Sequence, residues 1–446
     1  MERDMTQGNL AKILVLFTVP LVLSGLFQQL FNWVDAFIVG NVEGETALAA
    51  IGATSAIYHL FIMVITGFTS GLSILTAQQY GMGETASLKN ALSSFVVILG
   101  AVFLLLASLG VVFTSHILTL LDTPPNLFVI AKEYLRVLFF GIPFLAIYNV
   151  YAAVLRGLGD SRAPFLSVLV SSLANVGLDI LFVAVLGYGA AGAAVATVIS
   201  QAAMTVFIVL YATKKHRHLR FRFGRSMVDK TLAAKGAAFG LPPAVQSGMS
   251  SVGNLFLQRF MNSFGEQTVA AITTAYRVDS VLFLPIINFG SGIATVVAQN
   301  IGAGNHERAE KALKIGLMMM AGIAISLALL VLLTGEYLLA MFGLTASSVA
   351  IGKSFFHAIA GFYVVYGASM AMRGYLEGTG DMLFSGLCVL FALLVRIAAS
   401  YLFAAHFGNM VVAYAEAFSW FVLLALYISR YLQKRPRTKR NGELSL

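Results

Sequence analysis

GFTSGLSILTAQQYGMG at residues 67–83 is repeated, with changes, as NFGSGIATVVAQNIGAG at residues 288–304. The same offset of 221 residues places GETALAAI (44–51) on GEQTVAAI (265–272), and RGLGD (156–160) on EGTGD (377–381). Because one offset holds over more than 100 residues, we interpret the chain as the product of an internal duplication.

The composition indicates a helical membrane protein. Of the 446 residues, 59% are hydrophobic and 11% are charged, whereas roughly a quarter of a soluble protein is charged. At about 20 apolar residues per span, the apolar runs predict twelve transmembrane helices in an all-α polytopic fold. The predicted helices cover residues 13–39, 54–80, 90–113, 130–155, 163–187, 190–213, 236–263, 268–299, 310–334, 350–376, 382–405 and 409–432.

The repeat divides these helices into two lobes of six. The two halves have the same orientation, so we expect a pseudo-two-fold axis along the membrane normal and a binding cavity between the lobes. The predicted parts are an N-terminal lobe, a basic linker, a C-terminal lobe and a basic tail, at residues 1–213, 214–235, 236–433 and 434–446.

The loops on one side of the predicted bundle contain lysine and arginine, and the loops on the other side do not. The loops after helices 2, 4, 6 and 8 contain these residues and Arg373 lies near the end of helix 10, whereas the loops after odd-numbered helices contain none. The positive-inside rule therefore places both termini and the linker in the cytoplasm, in a multi-pass cell-membrane protein. The run KKHRHLRFRFGR (214–225) has a composition that could bind nucleic acid. Its position between two membrane helices favours a connector facing lipid headgroups, without a nucleic-acid partner.

Two acidic residues, Asp35 and Asp179, lie within predicted membrane helices of the first half. A carboxylate in the bilayer core costs about 2.5–3.5 kcal/mol on insertion scales, so the two need a cation, a proton or a polar cavity. The second half has no acid at either matching position. The offset of 221 aligns Asn175 with Arg396 and Asp179 with Ser400. Asp35 aligns with Gln258 when the first helices are aligned through Pro20 and Pro243, with a two-residue gap before GEQT. We therefore expect the first half alone to bind a coupling ion.

Further polar residues share helix faces with these acids. Spacings of three or four residues put side chains on one face. Such spacings group Gln28 and Asn32 with Asp35, Asn175 with Asp179, and Thr197 with Gln201. Carboxylate, amide and hydroxyl oxygens suit a hard cation such as Na⁺, and two nearby carboxylates can also hold a proton. These residue types do not distinguish between Na⁺ and H⁺ as the coupling ion.

Three other features of the predicted helices bear on mechanism. Pro20 frees a backbone carbonyl and permits a bend; it is either an irregularity at the helix start or a hinge. Arg396 is expected to pair with Glu416, either structurally or as part of the substrate cavity. Arg277 and Asp279 are close in sequence and are interpreted as another such pair.

Other functional classes lack support. The single cysteine, Cys388, excludes an intrachain disulfide, and the seven histidines show no paired spacing. We therefore expect no cofactor, and no metal beyond Na⁺ at the coupling site. The chain contains no P-loop and no nucleophile elbow, so an enzyme is not expected. The short loops offer no selectivity filter for a channel.

With these features, the chain resembles the multidrug and toxic compound extrusion (MATE) family over roughly residues 10–433. The resemblance rests on the order and spacing of VDAFIVG (34–40), AQQYGMG (77–83), LRGLGD (155–160), ANVGLD (174–179), AQNIGAG (298–304) and LEGTGD (376–381). It implies twelve helices in two lobes and the export of amphipathic, often cationic compounds in exchange for Na⁺ or H⁺.

The resemblance also implies roles for individual residues. Asp35, Asn175, Asp179 and Thr197 match the first-lobe cation site of the family, and Pro20 matches a proline implicated in bending the first helix. The NorM-type branch carries further acids in helices 7 and 10, but residues 236–263 and 350–376 contain none here. The chain therefore resembles the DinF-type or a related bacterial branch.

We accordingly predict a secondary active multidrug exporter that works by alternating access. Gln28, Asn32, Gln201 and Arg396 are expected to line its substrate cavity. Small amphipathic or cationic substrates and membrane lipid are the expected partners of a monomer. The alternative is a flippase for a lipid-linked sugar or another lipid intermediate.

Overall fold

The computed structural model describes residues 4–216, 219, 221 and 228–434, and its regular elements within these ranges are helical. The predicted all-α class is therefore confirmed. The helices are α1 (Leu10–Glu43), α2 (Glu45–Gly81), α3 (Thr85–Leu120), α4 (Pro125–Phe139), α5 (Ile142–Gly157), α6 (Arg162–Asp179), α7 (Gly189–Lys215), α8 (Lys230–Asn262), α9 (Glu266–Leu282), α10 (Leu284–Gly302), α11 (His306–Ala340), α12 (Ala346–Ile359), α13 (Tyr363–Gly378), α14 (Met382–Phe407) and α15 (Val411–Lys434).

Every predicted membrane segment is helical, but several are broken. By length and apolar composition, the described residues contain nine helical stretches able to cross a membrane, or ten if the bent pair α4 and α5 counts as one span. One of the nine, Met382–Lys434, contains both α14 and α15. The count of twelve spans stays a prediction.

Three predicted helices are not continuous, and two of the breaks have a proline as their cause. The predicted helix 130–155 bends by 41° between α4 and α5, and Pro143 lies in the first turn of α5. The predicted helix 268–299 breaks at Phe283, with Pro285 in the first turn of α10. Proline lacks an N–H and is tolerated best in a first helical turn, so a new helix begins there. The third, 350–376, is interrupted by a 3₁₀ turn at Ala360–Phe362.

The helices form two compact units. The first contains the chain up to Ser251 together with Thr295–Ala309, and the second contains Val252–Ala294 and the chain from Glu310 onward. The units thus differ from the predicted lobes in where residues 236–251 and 295–309 pack. The predicted linker lies partly outside the described residues, and the predicted tail lies outside them after Lys434.

Glycines of the repeat bring α2 and α10 into backbone contact within the first unit. A Cβ on Gly81 would lie 2.0 Å from the Gln299 carbonyl oxygen, and a Cβ on Gly302 would lie 2.1 Å from the Gln78 carbonyl oxygen. Both distances are far below any van der Waals contact, so only glycine fits. The contact is reciprocal, because each glycine faces the repeat equivalent of its own neighbouring glutamine.

Residues 4–9, termed the N-terminal strap, are hydrogen-bonded to the end of α10 and the start of α11. The Met5 side chain is fully buried, and the Met5 N–H donates to Gln299 Oε1 at 3.0 Å. Asn300 Nδ2 donates to the Met5 carbonyl at 3.2 Å, and Arg308 donates to the Gly8 carbonyl at 2.8 Å. The strap is therefore an integral part of the first unit.

Candidate functional site

The predicted coupling residues of the first unit converge where α6 changes its helical geometry. Asp179 is the last residue of α6, and a π-helical segment, Ile180–Val185, follows it directly. π-helical turns are rare and occur often at functional sites. Helix α1, which carries Asp35, packs along α6 and along the π-helical segment. Asp179 and Asn175 are both completely buried.

Asp35 and Asp179 face each other. Their carboxyl groups lie within side-chain hydrogen-bonding reach. Within the described part of the chain, Oδ1 of each residue is buried and receives no hydrogen bond. Two carboxylates repel each other unless a proton is shared between them or a cation lies between them. The pair therefore has the donor set and the free oxygens that a bound proton or Na⁺ requires.

Asn175 and Thr197 join this pair through one amide group. With its nitrogen oriented toward Asp179, the Asn175 amide donates to Asp179 Oδ2 at 2.6 Å and accepts from the Thr197 backbone N–H at 3.2 Å. This orientation follows from the hydrogen-bond network, since a carboxylate oxygen accepts and does not donate. Thr197 Oγ1 donates to the Ala193 carbonyl at 3.0 Å, so α7 holds the Asn175 side chain in place.

Two tyrosines that the sequence analysis did not single out belong to the same region. Gln201 Nε2 donates to the Tyr58 hydroxyl at 2.5 Å, which links α7 to α2. Tyr134 of α4 is buried and close enough to Asp35, Asp179 and Tyr58 to interact with them electrostatically. In the sequence, the signal for these two tyrosines is a hydroxyl group among apolar neighbours in a predicted membrane helix. Aromatic residues are so frequent here, at 12% of the chain, that this signal is weak.

The remaining predicted residues of α1 are Gln28, Asn32 and Pro20. Gln28 and Asn32 are exposed, and within the described chain neither hydrogen-bonds to Asp35 or Asp179. Pro20 lies inside α1, which continues through it. The Ser24 hydroxyl donates to the Pro20 carbonyl at 2.9 Å.

Arg396 lies in the second unit and is paired as predicted. Its Nη2 donates to Glu416 Oε2 at 2.8 Å and to the Tyr276 hydroxyl at 2.7 Å. The three side chains line a cavity of about 310 Å³. Arg396 is therefore a cavity residue, but its charge is compensated by Glu416.

The interpretation of Arg277 and Asp279 as a pair is wrong. Asp279 is buried and accepts a hydrogen bond from Tyr363 at 2.5 Å, whereas Arg277 is exposed. Residues two apart on a helix point to different sides, so their closeness in sequence does not make a contact.

Comparisons with known proteins agree on one family. The MatE family model matches residues 20–181 and 242–402. "Probable multidrug resistance protein YpnP" of Bacillus subtilis is 30% identical, with 85% of each chain covered. "Probable multidrug resistance protein YoeA" of the same organism is 28% identical and covers 95% of this chain and 94% of its own. A crystal structure of a MATE protein in the bent conformation has the same fold, with a TM-score of 0.89, 21% identity and 96% of each chain covered. The chain is an integral membrane protein and belongs to the MatE family.

Proposed function

We propose that the chain is a secondary active multidrug exporter, which moves amphipathic, often cationic compounds out of the cell in exchange for Na⁺ or H⁺. The names of the two Bacillus subtilis relatives support the multidrug activity. Membership of a transporter family also argues against an enzyme.

The observation that carries the coupling mechanism is the facing pair of Asp35 and Asp179. Two acids in a buried site need a positive charge in every state of the transport cycle. The coupling ion supplies that charge in one state, and a cationic substrate supplies it in another. Ion and substrate then exchange at one site while the protein alternates between its two open states.

Pro20 is proposed as the hinge of this exchange. It removes one backbone hydrogen bond from α1 fifteen residues before Asp35. A bend at Pro20 would move Asp35 relative to α6 without breaking the rest of the helix. Proteins of the same fold have been solved in a bent and in a straight conformation, and this supports the proposal that the chain can bend.

The proposed location is the cell membrane, with both termini in the cytoplasm, since the loops assigned to the other side contain neither lysine nor arginine. The proposed working unit is a monomer surrounded by lipid. The alternative, a flippase for lipid intermediates, would need an uncompensated cationic lining for an anionic headgroup. The pairing of Arg396 with Glu416 makes that alternative weaker.

Transport by purified protein in proteoliposomes tests the proposal directly. A Na⁺ gradient and a proton gradient are imposed one at a time, and efflux of a fluorescent lipophilic cation is followed. We expect one gradient to drive efflux, and we expect raised Na⁺ or lowered pH to release the bound cation.

The double variant tests whether the two acids form one site. Asp35→Asn and Asp179→Asn should each abolish coupled efflux, and the double variant should lose little more than the worse single variant, as expected for residues that act as a unit. Additive losses, together with cation binding indifferent to both Na⁺ and pH, would rule out a shared exchange site.

A further inference from the structure

The second unit contains a cavity that the coupling mechanism does not use. Its volume is about 310 Å³, which lies at the lower end of the range for small-molecule sites. Helices α8, α9, α14 and α15 form its walls, and apolar residues of α8 such as Phe260 and Met261 cover part of them. The polar lining consists of Asn254, Gln258, Tyr276, Arg396, Ser400 and Glu416.

The polar wall is built around one compensated ion pair. Arg396 bonds to both Glu416 and Tyr276, at 2.8 and 2.7 Å. The side chains of Arg396 and Glu416 are 17% and 11% exposed, so each presents a small surface to the cavity. The charges on the lining sum to zero, in contrast to the acidic site of the first unit.

Charge balance restricts what can enter between the two partners. The lining is neutral, so a ligand with only a positive charge would leave the cavity with a net charge of +1, and a ligand with only a negative charge would leave it with a net charge of −1. Uncompensated buried charges cost several kcal/mol. A ligand that carries both charges opens the pair and compensates both partners.

We propose that this cavity binds a zwitterionic amphiphile, with its carboxylate on Arg396, its ammonium group on Glu416 and its apolar group against Phe260 and Met261. The planar guanidinium matches a carboxylate by two parallel hydrogen bonds, and a carboxylate is the usual partner of an ammonium group. Asn254 and Gln258 are exposed and provide further hydrogen bonds at the mouth. Binding there needs no Na⁺ and no proton.

The chain contains two tryptophans, one of which lies close to this cavity. Trp420 follows Glu416 by four residues on α15, is 6% exposed and has its ring 4.9 Å from that of Tyr366. Trp33 on α1 is 51% exposed. The Trp33→Phe variant therefore leaves Trp420 as the single fluorescent reporter.

Three probes of one shape test the charge requirement in purified full-length protein. Phenylalanine is the zwitterion, 2-phenylethylammonium lacks the carboxylate, and 3-phenylpropionate lacks the ammonium group. We expect a saturable change in Trp420 emission with phenylalanine, and binding of the other two that is weaker by at least about tenfold. Absence of a saturable change with phenylalanine, or equal binding of the cation, overturns the proposal.

Two variants separate a binding site from a structural ion pair. Asn254→Phe adds a bulky side chain to the lining and keeps both charged residues, and it should weaken phenylalanine binding at least about tenfold while thermal stability is unchanged. Glu416→Gln should reverse the preference, so that 3-phenylpropionate binds better than phenylalanine, because only Arg396 keeps its charge. Unchanged phenylalanine binding in the Asn254→Phe variant contradicts the proposed location.

The same measurement is independent of the coupling site. Asp179→Asn should abolish coupled efflux and leave phenylalanine binding intact. Loss of phenylalanine binding in Asp179→Asn would contradict a separate site in the second unit, whatever the outcome for efflux.

Discussion

Two positions that the repeat makes equivalent have opposite chemistry. In the first unit, Asn175 and Asp179 form a buried site with Asp35, and Oδ1 of each aspartate receives no hydrogen bond from the described chain. In the second unit, Arg396 and Ser400 occupy the matching positions, and Glu416 is the acid beside them. In the proposed mechanism the first site takes a positive charge from a bound ion or substrate, whereas the second carries one on the side chain of Arg396.

This comparison shows how one duplicated framework gives two kinds of site. A guanidinium group cannot leave and is not deprotonated in proteins, so the charge on Arg396 is permanent. In the proposed mechanism, an ion or a substrate supplies the positive charge at Asp35 and Asp179, so that charge can be exchanged. Under this proposal, only the first site is therefore suited to coupling.

The largest expected effect is the loss of coupled export in Asp179→Asn. This substitution keeps the shape of the side chain and removes the charge that the coupling ion compensates. Ion-driven efflux from proteoliposomes should fall by more than about tenfold, toward that of empty liposomes. Ser400→Ala, at the matching position of the second half, is the control and should be mild. An equal loss of ion-driven efflux in Asp179→Asn and Ser400→Ala would contradict the proposal that the first half alone binds the coupling ion.

The next largest effect concerns stability rather than transport. Glu416→Gln leaves Arg396 without a counter-charge and should destabilise the protein by about 3–5 kcal/mol. Asp179→Asn should not destabilise it, because it removes repulsion between two acids. Thermal unfolding in detergent compares the two.

Replacing both partners of the ion pair is the control for this contrast. Arg396→Met combined with Glu416→Leu should be close to neutral. A double variant as unstable as Glu416→Gln would show that the loss comes from packing and not from the unpaired charge.

A third prediction concerns a place where the two halves remain alike. Gly81→Ala and Gly302→Ala each put a methyl group against a backbone carbonyl of the other helix. Each should cost about 3 kcal/mol, the upper end for overpacking, since backbone cannot move aside. Gly52→Ala is the matched control in α2, because nothing lies within 4 Å of its Cβ position. The midpoint of thermal unfolding in detergent measures the loss. If Gly52→Ala lowered this midpoint as much as Gly81→Ala, the loss would come from helix propensity or expression and not from the contact between the helices.

The smallest expected effect compares Asp160 with its repeat equivalent, Asp381. Burial would raise the pKa of Asp160, but hydrogen bonds from His216, at 3.2 Å, and from the Ala163 backbone N–H lower that pKa to about 2. Its stabilising contribution is therefore complete above the ordinary value of 3.8 and is lost as the pH falls through about 2. Asp160→Asn should cost about 2 kcal/mol at neutral pH.

Asp381 should contribute less. Burial would raise its pKa as well, but Arg430 and Lys434 hold that pKa below its usual value. The side chains of these two partners are 31% and 45% exposed, and exposed ion pairs contribute only about 0–1 kcal/mol. Urea unfolding of Asp160→Asn and Asp381→Asn at pH 7 gives the comparison, and an equal loss in both would contradict it.

Some of this molecule could be predicted from patterns within the chain. The repeat and the apolar runs predict the helices, and charge inside an apolar helix identifies Asp35, Asp179 and the partner of Arg396. The pairing of Arg396 with Glu416 is confirmed, and it could be predicted because a buried charge must be compensated, which restricts the neighbours it can have. Pro143 and Pro285 are local signals for the helix breaks that precede them, although the apolar runs there predict continuous helices.

The remainder depends on tertiary packing. Tyr58 and Tyr134 lie close to the acids because α2 and α4 bring them there, and neither residue type nor spacing indicates this. Arg277 and Asp279 show the converse, because closeness in sequence does not by itself make a contact. The packing of residues 236–251 and 295–309 in the first unit likewise follows from contacts between helices distant in sequence.

The N-terminal strap can make its contacts only after most of the chain has been synthesised. Met5 is made 295 positions before its hydrogen-bond partner Asn300. At about 5–20 residues per second, translation takes roughly 15–60 s to cover that distance. Most of the helices have left the ribosome before the strap has anything to bind. The first described residues of the chain are thus among the last to reach their final place, and their protection from protease in pulse-labelled cells would time the completion of the first unit.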